Sequence, residues 1–216
     1  MLKYVLFDLD GTVTDPLDSI TGGVVYALEK FGIIETDLEK LRPFVGPPLI
    51  DSFQEFYGFT EEQARLATKY HREIFVTTGI FQNRLYDGME ELLKELKERG
   101  VKILLATSKP MEYATKILEL AGVLQYFDFI GGNDLKESRP KKELVIQYVL
   151  DNNEGITAEN TLMIGDRKFD VNGAHAFGLK CVGVLYGYGD RAEMEEHGAD
   201  YIVEDVAELR EFLMNR

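Results

Sequence analysis

The sequence predicts an α/β protein: a parallel sheet covered by helices, with an all-helical segment inserted after the first strand. Continuously apolar runs such as 101–106 and 161–165 alternate with helical patterns from residue 87 onward. Runs of this kind are typical of parallel strands that are buried on both faces. Residues 16–81 show helical spacing and no convincing strand. A chain of 216 residues is long enough for two such units.

The first strand is predicted at residues 3–7, and it ends at a polar, turn-prone stretch that begins with Asp8. Three helices are predicted in the segment that follows. One covers Val24 to Phe31, one follows the Gly46-Pro47-Pro48 breaker, and one opens with a capping box at Thr60 and Gln63 and runs to about Thr77.

After Asp87-Gly88 the predicted elements alternate in type. They are a helix from Met89 that ends at Gly100, a strand at 101–106, a helix at 111–121, a strand at 127–130, a helix at 141–151, a strand at 161–165, a helix at 169–177, strands at 180–185 and 200–203, and a helix that ends at Met214. We therefore expect an α/β core formed by 1–15 and 87–216, a helical insert at 16–81 and a hinge at 82–86.

The composition narrows the function classes. A net charge of −14 disfavours binding to nucleic acid or to an anionic membrane, because both need a basic face. The single cysteine, Cys181, excludes an intrachain disulfide, and the three scattered histidines argue against a histidine-built zinc site. No apolar run approaches the roughly 18 residues of a membrane span. An acidic residue comes too early in the N-terminal segment for a signal peptide, so we expect a cytoplasmic location.

Polar side chains collect where the predicted strands end. They are Asp8, Asp10, Gly11 and Thr12 after the first strand, Thr107, Ser108 and Lys109 after the second, and Gly165, Asp166 and Asp170 after the strand at 161–165. Ligands of parallel α/β sheets bind at this edge, so we expect the four carboxylates to meet there. Their repulsion favours a bound cation, and oxygen ligands without histidine or cysteine favour Mg²⁺.

A magnesium ion beside lysine and hydroxyl groups suits a phosphate ligand. Lys109 and either Lys141 or Lys142 can supply positive charge. Thr107 and Ser108 are expected where a helix begins, and backbone N–H groups at a helix N-terminus bind phosphate oxygens. The residues expected to contact the substrate are Gly11, Thr12, Ser108, Lys109 and Lys141.

The motif Asp8-Leu9-Asp10-Gly11-Thr12 has two other interpretations. Asp-Gly pairs are common in ordinary turns. A calcium loop needs Gly at its sixth position and Glu at its twelfth, and this sequence has Val13 and Ser19 there. A turn without further function therefore remains the competing interpretation.

Taken together, these motifs resemble the haloacid dehalogenase superfamily. The resemblance is carried by Asp8-x-Asp10-Gly11-Thr12, Thr107, the lysine near 142 and Gly165-Asp166-x-x-x-Asp170, and the insert after the first strand is similar to the superfamily's C1 cap. Three further stretches are similar to those of phosphoglycolate phosphatase-like members of the superfamily: Gly46-Pro47-Pro48-Leu49, Asp87-Gly88 and Thr107-Ser108-Lys109. The resemblance implies a Rossmann-like core with a helical cap.

The resemblance also implies roles for the matching residues. Asp8 is expected to attack phosphorus and form an aspartyl-phosphate, and Asp10 to act as general acid and then general base. Thr107 and the motif lysine are expected to hold the phosphoryl group. Mg²⁺ is expected to be held by Asp8, the backbone carbonyl of Asp10 and Asp166, with Asp170 supporting the site.

The motif lysine is either Lys141 or Lys142. The more widespread family pattern places a proline after this lysine, whereas Lys141 is followed by Lys142. The Arg139-x-x-Lys142 spacing resembles a subset of phosphatases in which the second lysine is the functional one. This spacing favours Lys142.

These features favour a magnesium-dependent phosphatase for a small phosphorylated metabolite, acting as a monomer or weak homodimer. Phosphoglycolate is the substrate that the overall resemblance implies, and a nucleoside 5′-monophosphate is the alternative, because relatives with the Arg-x-x-Lys pattern look like nucleotidases. A sugar-phosphate mutase shares the same core residues. A dehalogenase is disfavoured by Asp10, and a protein without activity by the presence of every motif carboxylate.

Overall fold

The computed structural model describes all 216 residues. The strands are β1 (Tyr4–Phe7), β2 (Thr14–Asp15), β3 (Arg84–Leu85), β4 (Lys102–Pro110), β5 (Phe129–Asn133), β6 (Thr161–Gly165), β7 (Lys180–Val184) and β8 (Tyr201–Val203). The helices are α1 (Leu17–Lys30), α2 (Leu49–Tyr57), α3 (Glu61–Thr77), α4 (Met89–Glu98), α5 (Met111–Leu120), α6 (Lys142–Asp151), α7 (Lys168–His175), α8 (Arg191–Glu196) and α9 (Val206–Met214). Short 3₁₀ helices lie at Leu38–Phe44, Gly79–Gln82 and Leu124–Tyr126.

The chain divides into two compact units, one formed by Met1–Asp15 with Leu85–Arg216 and the other by Pro16–Arg84. The first unit contains a six-stranded sheet in the order β5-β4-β1-β6-β7-β8. Every neighbouring pair in this sheet is parallel. The prediction of an α/β protein with a parallel sheet is therefore confirmed.

Both faces of the sheet are buried, as the continuous apolar runs indicated. Alternate strand residues such as Leu6, Leu104 and Met163 pack against apolar side chains of α6 and α7. Their neighbours Val5, Phe7 and Ile103 point to the opposite face and are also fully buried. A sheet covered in this way leaves its strand ends as the edges at which polar groups can gather.

The second unit is built from α1, α2, α3 and two of the 3₁₀ helices. Its core is aromatic, with Phe53 stacked on Phe59 at 5.7 Å and packed edge-on against Phe44 at 5.1 Å between ring centroids. The predicted capping box is confirmed, because the N–H of Gln63 donates to the Thr60 hydroxyl at 3.3 Å and the Gln63 side chain accepts from the N–H of Thr60 at 2.9 Å.

Several predicted boundaries were wrong. The first helix, predicted from Val24, begins at Leu17. The strand predicted at 127–130 lies at Phe129–Asn133, because Asp128 ends the preceding turn and accepts a hydrogen bond from the N–H of Ile103 at 2.9 Å. The glycines of this strand gave no strand signal, yet Gly131 is packed so closely that an added Cβ would lie 2.2 Å from Val149 Cγ2. The strand predicted at 101–106 continues to Pro110.

No helix of the structure has the length and apolar character needed to cross a membrane.

Candidate active site

The sheet register brings three of the predicted motifs to one edge. Phe7 pairs with Leu105 on β4 and with Ile164 on β6. The next residue, Asp8, therefore lies level with the ends of both neighbouring strands. This follows from the central position of β1, between β4, which contains Thr107, and β6, which precedes Asp166.

The loop after β1 is held by its own backbone hydrogen bonds. The carbonyl of Leu9 accepts from the N–H groups of Thr12, Val13 and Thr14 at 3.2, 2.9 and 2.9 Å, and the N–H of Gly11 donates to the Thr14 carbonyl at 2.8 Å. Gly11 has φ +84°, a backbone conformation that favours glycine. Gly11 and Thr12 thus shape the loop that fixes the directions of Asp8 and Asp10.

Three buried carboxylates form the centre of the site. Oxygen atoms of Asp8, Asp166 and Asp170 lie within 4.8 Å of one another. Burial raises the pKa of Asp166 well above its ordinary value, and the charges of Asp170 and Asp8 raise it further. For Asp170, burial raises the pKa to about 6 against the opposing effect of Lys142. The ionised forms of Asp166 and Asp170 are therefore disfavoured unless a cation joins them.

Lys142 is the cation of this cluster. Its Nζ lies 2.9 Å from Asp8 Oδ1 and 2.8 Å from Asp170 Oδ1, and it donates to the Ala106 carbonyl at 2.9 Å. Burial lowers the pKa of Lys142, but the two carboxylates outweigh this effect and raise it above the ordinary value. Lys141 is exposed at the start of α6. Of the two lysines that the sequence left open, Lys142 is the one that contacts Asp8.

Asp166 offers one oxygen for a further ligand. Its Oδ2 accepts a hydrogen bond from the N–H of Tyr188 at 2.8 Å, whereas its Oδ1 is buried without a hydrogen-bond partner. Three buried carboxylates, one of which keeps an oxygen without a hydrogen-bond partner, offer the oxygen ligands that Mg²⁺ takes in proteins. The residues present therefore fit the expected magnesium ion.

Asp10 lies outside the three-carboxylate cluster and pairs with Lys109. The two side chains are 2.8 Å apart between Lys109 Nζ and Asp10 Oδ1, and they are only 8% and 13% exposed. Burial raises the pKa of Asp10 although the Lys109 ammonium lowers it. Lys109, which was expected to contact the substrate, thus holds the candidate acid–base group in this structure.

Thr107 and Ser108 do not lie where a helix begins, contrary to the prediction. The pairing of β4 with β5 continues to Thr107 and resumes at Pro110 after a register shift, so α5 starts only at Met111. The residue before a proline favours extended backbone, which keeps this segment from turning into a helix. Thr107 is buried, and its Oγ1 accepts from the N–H of Lys109 at 3.2 Å.

Glu193 supports the site, and the sequence analysis missed it. Its Oε1 accepts from Arg167 Nε at 3.0 Å and from the N–H of Lys168 at 2.7 Å. It thereby fixes the start of α7, the helix that carries Asp170. Glu193 belongs to α8, a helix of six residues that the hydrophobic pattern did not predict. No local signal in the sequence connects it with Asp166.

Comparison with known proteins agrees with this geometry. Residues 5–184 match the family model described as haloacid dehalogenase-like hydrolase. The chain is 44% identical to a 5′-nucleotidase from Pseudomonas aeruginosa over 98% of this chain and 96% of that protein. It is 35% identical to tyrosine-protein kinase PtkA from Mycobacterium tuberculosis over 98% and 72% of the two chains. It is 29% identical to phosphoglycolate phosphatase 1 from Pseudomonas aeruginosa over 96% of this chain and 78% of that protein.

The fold also matches solved structures. The crystal structure of a predicted phosphatase from Clostridium acetobutylicum has a TM-score of 0.96 to this chain, with 44% identity and coverage of 100% of both chains. The chain therefore belongs to the haloacid dehalogenase-like hydrolase family, and it is a phosphatase, a hydrolase of phosphoric monoesters.

Proposed function

We propose that this phosphatase is magnesium-dependent and hydrolyses a small phosphomonoester through a phosphorylated Asp8. The observation that carries the proposal is the placement of the Asp8 carboxylate, buried 2.9 Å from Lys142 Nζ and within reach of two further carboxylates. A nucleophilic carboxylate needs a counter-charge that holds it in place and offsets the charge of the incoming phosphate. Lys142 supplies both.

Asp8 and Asp10 divide the chemistry between them. Asp8 attacks phosphorus, the ester bond breaks, and the leaving alkoxide takes a proton from Asp10. In the second step Asp10 takes a proton from water, the water oxygen bonds to phosphorus, and the bond from phosphorus to Asp8 breaks. The raised pKa of Asp10 favours the protonated form that the first step requires. Thr107 donates a hydrogen bond to the phosphoryl group.

Asp8, Asp166 and Asp170, with the backbone carbonyl of Asp10, are the groups that would hold Mg²⁺. The bound ion supplies positive charge that stabilises the developing charge on the phosphoryl oxygens. Asp166 would contribute its unpartnered Oδ1, and Asp170 would contribute a carboxylate that also pairs with Lys142 Nζ at 2.8 Å.

A nucleoside 5′-monophosphate is the substrate we propose first. The chain is more similar to the 5′-nucleotidase than to the phosphoglycolate phosphatase, over nearly its whole length. The Arg139-x-x-Lys142 spacing agrees with this, because Lys142 is the lysine in the cluster. Phosphoglycolate, which the sequence favoured, becomes the second candidate.

A substrate panel tests this proposal. Purified enzyme is assayed for phosphate release from nucleoside 5′-monophosphates, phosphoglycolate, sugar phosphates and pyrophosphate, with Mg²⁺ and with a chelator. We expect the highest specificity constant for a nucleoside 5′-monophosphate and no turnover with the chelator. A higher constant for phosphoglycolate would reverse the order of the two candidates. Isomerisation of a sugar phosphate without phosphate release would indicate a mutase, and the Asp8→Asn variant serves as the blank for contaminating phosphatases.

The stability gained from Mg²⁺ should depend on pH. The pKa of Asp170 is raised from 3.8 to about 6, so between these values the folded protein keeps a proton that the unfolded chain has lost. The metal-free protein is therefore destabilised by this group as the pH rises through that range. Cation binding needs the ionised carboxylates, and protons compete with it at low pH. We expect Mg²⁺ to raise the melting temperature more at neutral pH than at about pH 5. Equal shifts at both pH values, after correction with NaCl of equal ionic strength, would contradict this.

A further inference from the structure

We propose that the loop Tyr186–Gly189 is a positioning element for Asp166, which it orients so that Oδ1 faces the cation. This inference rests on the proposed function, because it concerns the same magnesium site. The loop follows β7 and lies within the α/β unit. Three independent sets of contacts support the inference.

The two oxygens of Asp166 have different surroundings. Oδ2 accepts a hydrogen bond from the N–H of Tyr188 at 2.8 Å, and Oδ1 is buried without a hydrogen-bond partner. A carboxylate that is held through one oxygen cannot rotate freely about its terminal bond. The loop therefore determines which oxygen is left for a ligand, as the outer partners of metal-binding groups generally do.

Two glycines allow the backbone to approach Asp166 closely. An added Cβ at Gly187 would lie 2.4 Å from Asp166 Cβ and 2.4 Å from the Gly11 carbonyl oxygen, and one at Gly189 would lie 2.1 Å from the Asp166 backbone oxygen. Real Cβ atoms are essentially never found under 3.0 Å from another heavy atom. Any side chain at these positions would displace Asp166 or the loop that follows β1.

Two tyrosines fix the loop to the segment that follows Asp8. The hydroxyl of Tyr186 donates to the Thr12 carbonyl at 2.9 Å, and its ring packs edge-on against Tyr86 at 4.8 Å between centroids. The hydroxyl of Tyr188 donates to the Asp15 carboxylate. The loop is thus anchored by its tyrosines and brought against Asp166 by its glycines. A turn that only ended β7 would need neither contact.

The test measures Mg²⁺ affinity directly. The dissociation constant is determined by isothermal titration calorimetry without substrate, for wild type, Tyr186→Phe and Tyr188→Phe. We expect roughly tenfold weaker Mg²⁺ binding in each variant, at the low end of the 10–100-fold that loss of an outer partner typically costs, because the loop loses an anchor while the N–H of Tyr188 itself remains. At saturating Mg²⁺ the kcat should return close to the wild-type value. Tyr4→Phe is the matched control, since it loses a 2.9 Å hydrogen bond to the Glu154 carbonyl in the same unit, away from Asp166.

A second pair of variants tests the close approach. Gly187→Ala should weaken Mg²⁺ binding further than the tyrosine variants. Gly183→Ala is its control, because an added Cβ there would lie 2.6 Å from the flexible Met194 side chain and would not touch Asp166. If Gly187→Ala does not fold, the tyrosine variants decide the question.

The outcomes separate the inference from the proposed function. Wild-type protein that binds no Mg²⁺ would overturn the metal dependence and this inference with it. Wild-type protein that binds Mg²⁺, with tyrosine variants of equal affinity, would overturn only the positioning role. Equal weakening in Tyr4→Phe would also overturn it, because the effect would then be a general loss of stability.

Discussion

Replacing Asp8 with asparagine is expected to lower kcat by at least about four orders of magnitude. Asparagine keeps the shape of the side chain but has no anionic oxygen to attack phosphorus. The fold should persist, because Lys142 retains its ion pair with Asp170 at 2.8 Å. Removing one of several buried carboxylates also relieves repulsion within the cluster. We therefore expect the metal-free variant to melt at or above the wild-type temperature.

Two measurements check this prediction. A rapid acid quench followed by mass spectrometry should detect a phosphoryl group on the Asp8 peptide of the wild type and none on the variant. Asp18→Asn is the matched control, because Asp18 is exposed, lies in the other unit and pairs with Arg84 at 3.1 Å. Normal turnover by Asp8→Asn would remove Asp8 as the nucleophile.

The strand ends could be predicted because their signal is local. Apolar runs such as 161–165 end at a polar residue, and a parallel sheet places such ends at one edge. The sequence could therefore predict that Asp8 and Asp166 lie near each other. It could not predict that Asp10 pairs with Lys109, because that contact depends on the bulged end of β4.

The burial of Lys142 could have been predicted from the helical pattern of α6. Lys142, Val145, Ile146 and Val149 are the buried residues of α6, and their spacing is that of one helix face. A lysine that shares an apolar face is buried, and a buried lysine needs an anionic partner. Helical periodicity alone would thus have separated Lys142 from Lys141.

The hydrogen bonds of the supporting residues could not be found in this way, although the end of the strand predicted at 180–185 places the loop that contains Tyr188 at the same edge of the sheet. Glu193 and Tyr188 are separated by 25 and 22 residues from the groups that they bind, and neither lies in a predicted element. Their roles depend on how loops return to the sheet edge. Such contacts are tertiary, and a single sequence has no periodic signal for them.

Replacing Lys142 with methionine is expected to lower kcat about a thousandfold, whereas Lys141→Met should change it little. Methionine keeps most of the length and apolar volume of lysine but carries no charge. In the variant, the Asp8 and Asp170 carboxylates lose the ammonium that lies 2.9 and 2.8 Å from them. The phosphate then meets a site with one cation fewer, so the transition state is stabilised less.

The same variant separates catalysis from stability. Breaking a buried ion pair by removing one partner typically costs about 3–5 kcal/mol, unless the remaining carboxylates take up protons. The metal-free Lys142→Met protein should therefore lose stability as the pH rises, since its carboxylates must ionise without a counter-charge. Added Mg²⁺ should recover part of the melting temperature but not kcat, because the ion replaces the lost charge and not the lysine's contact with Asp8. A larger loss of kcat in Lys141→Met than in Lys142→Met would show that the exposed lysine is the functional one.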